Sequence, residues 1–384
     1  MRKLNRTISF SIVLFAATAV WAQRKPRARD LGVPFDGETG PLNAITDVRG
    51  IEVGHITLIS GDGALKVGVG PVRTGVTAIL PRGKESRDGV FAATFDLNGN
   101  GEMTGTHWVD DSGFLDGPVM ITNTHSVGVV RDAVIRWKVK RGEPDAEHYW
   151  WSLPVVAETW DGYLNDINGF HVTAQDAMNA LDSAHGGAVE EGNVGGGTGM
   201  ICNEFKGGIG TASRVLTPKQ GGYTIGVLVQ CNYGEREQLR IAGVKVGSEI
   251  SAPKIWDEDT GSIIVVVATD APLIPTQLKR VARRVALGLG RDGSYSGDGS
   301  GDLFIAFSTA NAGAIGAKGP HQITMMRNDE LDPIFLATVQ ATEEAVVNAM
   351  VAAETMAGID NHKVIALPHD QLRIVLKKYN RLAR

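Results

Sequence analysis

Ile263, Ile264, Val265, Val266 and Val267 form an unbroken β-branched run that reads as a buried strand. Gly261-Ser262 stands directly before it. A serine at the head of such a strand, preceded only by glycine, can become a new N-terminus. Cutting there gives one residue both a hydroxyl nucleophile and a free α-amine to serve as its base.

The chain has 384 residues and 43% hydrophobic content, ample for a large core. Length alone suggests two or three domains. A net charge of -5 leaves no basic footprint, which argues against a nucleic-acid partner. With 48 glycines and only 6% aromatic residues, the composition suits tight turns and a backbone-lined site.

Residues 1–22 read as a signal peptide. Arg2, Lys3 and Arg6 make a basic start, Ile8 to Val20 is apolar, and Val20-Trp21-Ala22 supplies a cleavage site after Ala22. The alternative is a retained membrane anchor, for which the apolar run is short. No later segment reads as apolar for long enough to cross a bilayer. The mature protein is therefore expected to be exported, periplasmic or extracellular, and free of the membrane after signal cleavage. Export permits Cys202 and Cys231 to pair, but two buried thiols fit equally well.

Arg24 to Arg29 reads as a mobile basic arm. Val76 to Leu80 and Thr224 to Val229 read as strands. Helices are expected over 125–140 and 174–184, the second with Thr173 as its N-cap. After the 263–269 strand and a turn at Ala271-Pro272, the spacing predicts a helix over 275–289. The Lys279, Arg280, Arg283 and Arg284 side chains fall on its other face, read as solvated. A strand over 302–308, a helix over 338–356 and a short strand over 364–367 follow. The charged stretch between Tyr233 and Gly261 reads as an exposed linker ending in Asp257-Glu258-Asp259.

Several motifs fail on their own chemistry. Asp96, Asn98, Asn100 and Gly101 begin like a calcium loop, but His107 stands where a bidentate Glu is needed. Gly195 to Gly199 lacks the lysine and spacing of a nucleotide loop, and reads instead as a glycine loop whose amides line a substrate pocket. The histidines and cysteines have no zinc-ligand spacing, so no metal or cofactor is expected. No G-x-S-x-G elbow is present. Asp298-Gly299-Ser300-Gly301-Asp302 lies at a loop-to-strand junction. There Ser300 can pass hydrogen bonds to a hydroxyl or amine, and Asp302 can stabilise a transient ammonium.

Taken together, these segments resemble the DmpA/BapA family of self-processing aminopeptidases, which includes L-aminopeptidase/D-amino acid esterases and β-peptidyl aminopeptidases. The matching stretches are FDLNGNGEMTGTHW (95–108), ITNTHSVG (121–128), LPVVAETWDGYLNDING (153–169), GNVGGGTGM (192–200), VLVQCNYG (227–234), GSIIVVVATDAP (261–272) and GSGDLFIAFSTAN (299–311). The resemblance implies an α/β (α+β) fold, a four-layer αββα sandwich like that of DmpA and ornithine acetyltransferase, of the N-terminal-nucleophile type. It implies one catalytic domain in two parts, 23–261 and 262–384, separated by self-cleavage at Gly261-Ser262.

By the same resemblance, Ser262 is the nucleophile, Asn232 the oxyanion donor, and Ser300 and Asp302 the supporting pair. Glu158 is the acid that holds the substrate ammonium. Members often carry Glu at the position of Asp302 and Tyr at that of Trp160, so Trp160 is a candidate for oxyanion support through its one N–H. The implied substrate is a small peptide, amide or ester with a free amine. The implied assembly is a homo-oligomer of α/β heterodimers. Two other readings are an acyltransferase of the ornithine-acetyltransferase type on the same fold and a non-catalytic periplasmic binding protein.

Overall fold

The computed structural model describes residues 25–142, 150–257, 260–316 and 319–383. The signal-peptide segment 1–22, Arg24, Glu258 and Asp259 lie outside the described residues. In the first half the strands are β1 (Glu52–Ser60), β2 (Val72–Leu80), β3 (Val90–Gly99), β4 (Phe114–Leu115), β5 (Val119–Asn123) and β6 (Val155–Thr159). Then come β7 (Ile201–Cys202), β8 (Phe205–Lys206), β9 (Gly208–Val215), β10 (Thr224–Asn232), β11 (Thr260–Thr269) and β12 (Gly299–Ser308). The helices are α1 (Thr106–Ser112), α2 (Val127–Lys140), α3 (Ala174–Ser183), α4 (Pro275–Ala282), α5 (Val285–Arg291), α6 (Asp332–Val351) and α7 (His369–Lys378).

Two sheets carry the fold. One has the order β1-β2-β5-β6 and the other β4-β3-β12-β11-β10-β9. In the larger sheet β11 runs parallel to β12 and antiparallel to β10. The apolar run of β11 is buried on both faces, and its side chains alternate between two cores. Ile264 and Val266 join Ile79, Ile121 and Ala157 of the smaller sheet in the layer between the sheets. Ile263, Val265 and Val267 pack outward with Leu278, Val285, Ala341 and Ala345 of α4, α5 and α6. On the far side, Val76, Ala78 and Met120 pack with Val130, Val134, Ala177 and Leu181 of α2 and α3. The result is a four-layer αββα sandwich.

Strands β11 and β12 sit between β3 and β10. The segments on either side of Ser262 therefore share one sheet, and separating them would break two ladders.

Local chemistry explains where the elements begin and end. The Thr173 hydroxyl accepts the Asp176 N–H while the Asp176 carboxylate accepts the Thr173 N–H, a capping box that starts α3. Helix α6 begins at Asp332, six residues before the expected 338, because Pro333 fits its first turn. It ends at Val351. Met356 instead pairs with Val364 in a two-strand ribbon, β13 (Met356–Ala357) and β14 (Lys363–Val364). The helix expected over 275–289 divides at Arg283-Arg284. Its basic side chains are not simply solvated. The Arg284 guanidinium lies 3.9 Å from the Phe335 ring centroid and that of Arg283 5.5 Å from the Phe95 ring, so the cations cover aromatic faces.

Three other expectations need correction, and one open alternative is resolved. Helix α6, with a mean hydropathy of 1.2, is apolar and long enough to cross a bilayer by composition, yet 89% of that stretch is buried and it serves as a core helix. Residues 239–250 are not an exposed linker. Leu239, Ile241, Val246 and Ile250 are buried in the helix-side core, while the charged Arg240, Lys245 and Glu249 between them stay exposed. Cys202 and Cys231 are joined as a disulfide. The described part of the basic arm is docked. Arg27 is buried against Glu191 at 2.8 Å, and Arg29 forms a bidentate pair with Glu344 at 2.7 and 2.8 Å.

Glu344 also accepts from Arg214 at 2.8 Å and from Asn43 at 2.6 Å, deep beneath α6. Burial alone pushes this carboxyl upward, but Arg29, Arg214 and Asn43 outweigh it and hold the pKa below the ordinary glutamate value. A depressed carboxylate stabilises the fold above its unfolded value of about 4.3. That contribution is lost as pH falls through the lower folded value. Glu344→Ala leaves the buried Arg214 guanidinium uncompensated and is expected to cost about 3–5 kcal/mol. The denaturant midpoint should fall at neutral pH with the slope unchanged. An unchanged midpoint would show that the arm is held by other contacts.

Candidate active site

The antiparallel register of β10 and β11 sets Asn232 opposite Ser262. Directly opposed residues share a face, and alternation puts Ser262 on the same face as Ile264 and Val266. That face looks between the sheets. Where the layer opens, Ser262 and Asn232 border a cavity of about 680 Å³ together with Gly261, Glu158, Trp160, Glu102 and Trp256. Ser262 is 3% exposed, so the hydroxyl sits at the floor of this opening.

Gly261 has φ +149°. A side chain there would run into the Asn232 carbonyl oxygen and crowd Tyr233 Cα at 3.0 Å. Glycine is required by both the backbone angle and the close approach.

The Asn232 carboxamide is held at both ends. Its Oδ1 accepts the Ile201 N–H at 2.8 Å, and its Nδ2 donates to the Trp160 carbonyl at 2.9 Å. An amide nitrogen carries two protons, so one N–H is left for the cavity. Trp160 thus contributes its backbone oxygen to the site. Its indole is 44% exposed and packs edge-on against Trp256, with ring centroids 6.3 Å apart.

Glu158 lies on β6, paired with Thr122 of β5. One oxygen accepts the Glu102 N–H at 2.9 Å and the other accepts the Thr124 hydroxyl. Burial raises its pKa above the ordinary value, and these two hydrogen bonds offset part of the shift. The next acid, Asp161, is fully enclosed and pushed up to about 6 by burial, against hydrogen bonds from Thr74, Asn165 and Asn123. It anchors the turn that presents the Trp160 carbonyl.

Ser300 and Asp302 are buried, and the Ser300 hydroxyl donates to Asp302 Oδ1 at 2.8 Å. The parallel ladder puts them in register with Gly261 and Ile263, on the opposite face from the Ser262 side chain. They adjoin the Gly261-Ser262 backbone and do not line the cavity.

Some of the surrounding design escaped sequence reasoning. Asn98 donates to the Gly297 carbonyl, and Asn100 to the Gly299 carbonyl at 2.7 Å. The residues that mimicked a calcium loop thus fasten the approach to Ser300. Gly195 to Gly197 do not line the pocket. They are buried, with the Gly195 and Gly196 N–H groups bonded to the Thr57 and Thr77 hydroxyls. Cβ atoms at Gly196 and Gly197 would collide with Gln230 and with the Ile209 backbone, so these glycines serve close packing between the sheets. Trp256 carried no sequence signal beyond its size, and Glu102 was legible only as part of the 95–108 stretch.

The chain matches the family profile described as Peptidase family S58 over residues 43–364. It is 56% identical over 374 residues to beta-peptidyl aminopeptidase BapA of Sphingosinicella microcystinivorans, covering 93% of each chain. Among solved structures it is similar to the L-aminopeptidase D-Ala-esterase/amidase of Ochrobactrum anthropi, described as a prototype of the serine aminopeptidases and a variant of the Ntn hydrolase fold. That likeness has a TM-score of 0.87 at 51% identity and covers 94% of this chain and 100% of that one. A Burkholderia sp. beta-aminopeptidase is similar with a TM-score of 0.85 at 46% identity, over 92% of this chain and 99% of that one. Matched along nearly its whole length, the chain belongs to Peptidase family S58 and is an aminopeptidase on an Ntn hydrolase fold.

Proposed function

We propose that the chain cuts itself between Gly261 and Ser262, and that the freed Ser262 is the nucleophile of the aminopeptidase. One observation carries this reading. Ser262, third residue of β11, lies on the face that borders the cavity, opposite the tethered Asn232 and in the same opening as Glu158.

In the uncut chain, Ser262 Oγ attacks the Gly261 carbonyl carbon. The C–N bond breaks, leaving Gly261 as an ester on Oγ and freeing the α-amine. Water hydrolyses the ester, and Gly261 leaves as a carboxylate. An α-amine with a pKa of about 7.7–8.0 then serves as base near neutral pH. It takes the Oγ proton, directly or through water, as Oγ attacks the substrate carbonyl. The free N–H of Asn232 donates to the oxyanion, an interaction whose loss typically costs about 2.7–4 kcal/mol. Trp160 supports the oxyanion through the carbonyl that fixes Asn232. The α-ammonium returns the proton to the leaving group, and water releases the acyl chain. The Ser300-Asp302 pair, beside the backbone that becomes the new N-terminus, relays to the amine and stabilises its charged form.

Glu158 pairs with the substrate's free ammonium and restricts attack to the first bond. Substrates are small peptides, amides or esters of this kind. The activities of the relatives, a beta-peptidyl aminopeptidase and an L-aminopeptidase D-Ala-esterase/amidase, support that class. The acyltransferase and binding-protein readings are not favoured beside relatives with these activities. The basic and apolar start of the sequence supports export to the periplasm or beyond, and a disulfide suits such an oxidising compartment. The cut chains are proposed to associate as several α/β pairs, for which exposed Trp108, Trp151 and Leu153 offer apolar surface.

Ser262→Ala should give one uncut chain with no hydrolysis of aminoacyl amides. A two-band gel from that variant would remove Ser262 from the cleavage step. Glu158→Gln should raise KM for free-amine substrates and leave N-blocked esters unaffected. In the unaltered enzyme, KM for free-amine substrates should rise on acidification at a higher pH than an ordinary glutamate, near 4.3, would require, because the Glu158 pKa is raised. The Gln variant should lose that acid limb. A pH-independent KM in the unaltered enzyme would contradict the ammonium role.

A further inference from the structure

We propose that Lys206 is a positioning residue for the oxyanion donor, acting on Asn232 through the single peptide group that joins Met200 to Ile201. The inference rests on Asn232 being that donor.

Lys206 is fully buried at the end of β8, paired with Ile201 of β7. Its Nζ donates to the Met200 carbonyl at 2.6 Å, the Gly207 carbonyl at 2.9 Å and the Gly197 carbonyl at 3.5 Å. The Met200 carbonyl and the Ile201 N–H belong to the same planar peptide unit. On one side of that unit sits the Lys206 ammonium. On the other, Ile201 N–H donates to Asn232 Oδ1 at 2.8 Å. The chain of donors therefore runs from Nζ–H to the Met200 oxygen, from Ile201 N–H to Oδ1, and from Nδ2–H into the cavity. Each link polarises the next in a site shielded from water. The cation strengthens Ile201 N–H as a donor and Nδ2–H in turn. It also locks the carboxamide against the flipped orientation, which would turn its oxygen toward the developing oxyanion.

Two of the three carbonyls have other donors. The Met200 carbonyl also accepts the Gly207 N–H at 3.0 Å, and the Gly197 carbonyl accepts the Met200 N–H at 3.3 Å. Burial opposes the charge and lowers the Lys206 pKa to about 7. Lys25 lowers it further, and Asp161 works in the opposite sense. A buried ammonium of this kind is a burden on stability, and the route to Asn232 gives it a use.

The test is a double-mutant cycle in the full-length, self-cut protein, with each preparation checked by intact mass and thermal melting. The substrate is an aminoacyl p-nitroanilide. Asn232→Ala is expected to lower kcat by about a hundredfold or more. Lys206→Met is expected to lower kcat by about ten- to a hundredfold, with KM within about twofold of the unaltered enzyme. The double variant should be no slower than Asn232→Ala alone, within about twofold. Lys206→Gln, which keeps an N–H toward Met200 without the charge, should fall between Lys206→Met and the unaltered enzyme, and it carries the comparison if Lys206→Met does not fold or cut. Losses that multiply in the double variant, or an unchanged kcat in both Lys206 variants, overturn the relay. An unchanged kcat in Asn232→Ala instead overturns the assignment of Asn232 itself.

Discussion

Strand β11 is hydrogen-bonded along both edges, antiparallel to β10 and parallel to β12, and the site is positioned by those two ladders. The first pairing sets Ser262 against Asn232. The second sets Gly261 and Ile263 beside Ser300 and Asp302. Alternation along β11 does the rest, turning the serine hydroxyl toward the gap between sheets and the supporting pair toward the other face. A shift of one residue in either ladder would send the Ser262 side chain into the helix-side core. The continuous apolar run that follows Ser262 resists such a shift, because both of its faces are already packed.

The two sheets are also tied by polar groups close to the opening. Gln230 of β10 donates to the Thr122 carbonyl at 3.0 Å and to the Thr159 hydroxyl at 2.8 Å on the smaller sheet. Asn232, two residues further along β10, reaches the Trp160 carbonyl just past the end of β6. Buried polar links of this kind specify one arrangement when satisfied. Here they bring Glu158, carried by the smaller sheet, into the same opening as Ser262, carried by the larger one. The site belongs to neither sheet alone.

Much of this was legible in the sequence. The β-branched run after Gly261-Ser262 marked the central strand. The GSGD and ETWD segments marked residues that lie in or beside the opening. What could not be read depends on partners far along the chain. Arg27 meets Glu191 across 164 residues and Arg29 meets Glu344 across 315, so a docked arm looked like a mobile one. The glycine loop looked like pocket lining, because sequence does not reveal that a neighbouring sheet occupies the space above Gly196 and Gly197. The peptide that orients Asn232 has no side-chain signature at all, and Lys206 in isolation reads as one more surface lysine.

The central claim is that this fold makes its own nucleophile. Intact-mass spectrometry of the purified, unaltered protein, with N-terminal sequencing, tests it most directly. The account predicts two chains, the smaller beginning with Ser262 and bearing a free amine, and the larger ending at Gly261. An active protein that remains one uncut chain, or one cut at another bond, would contradict it.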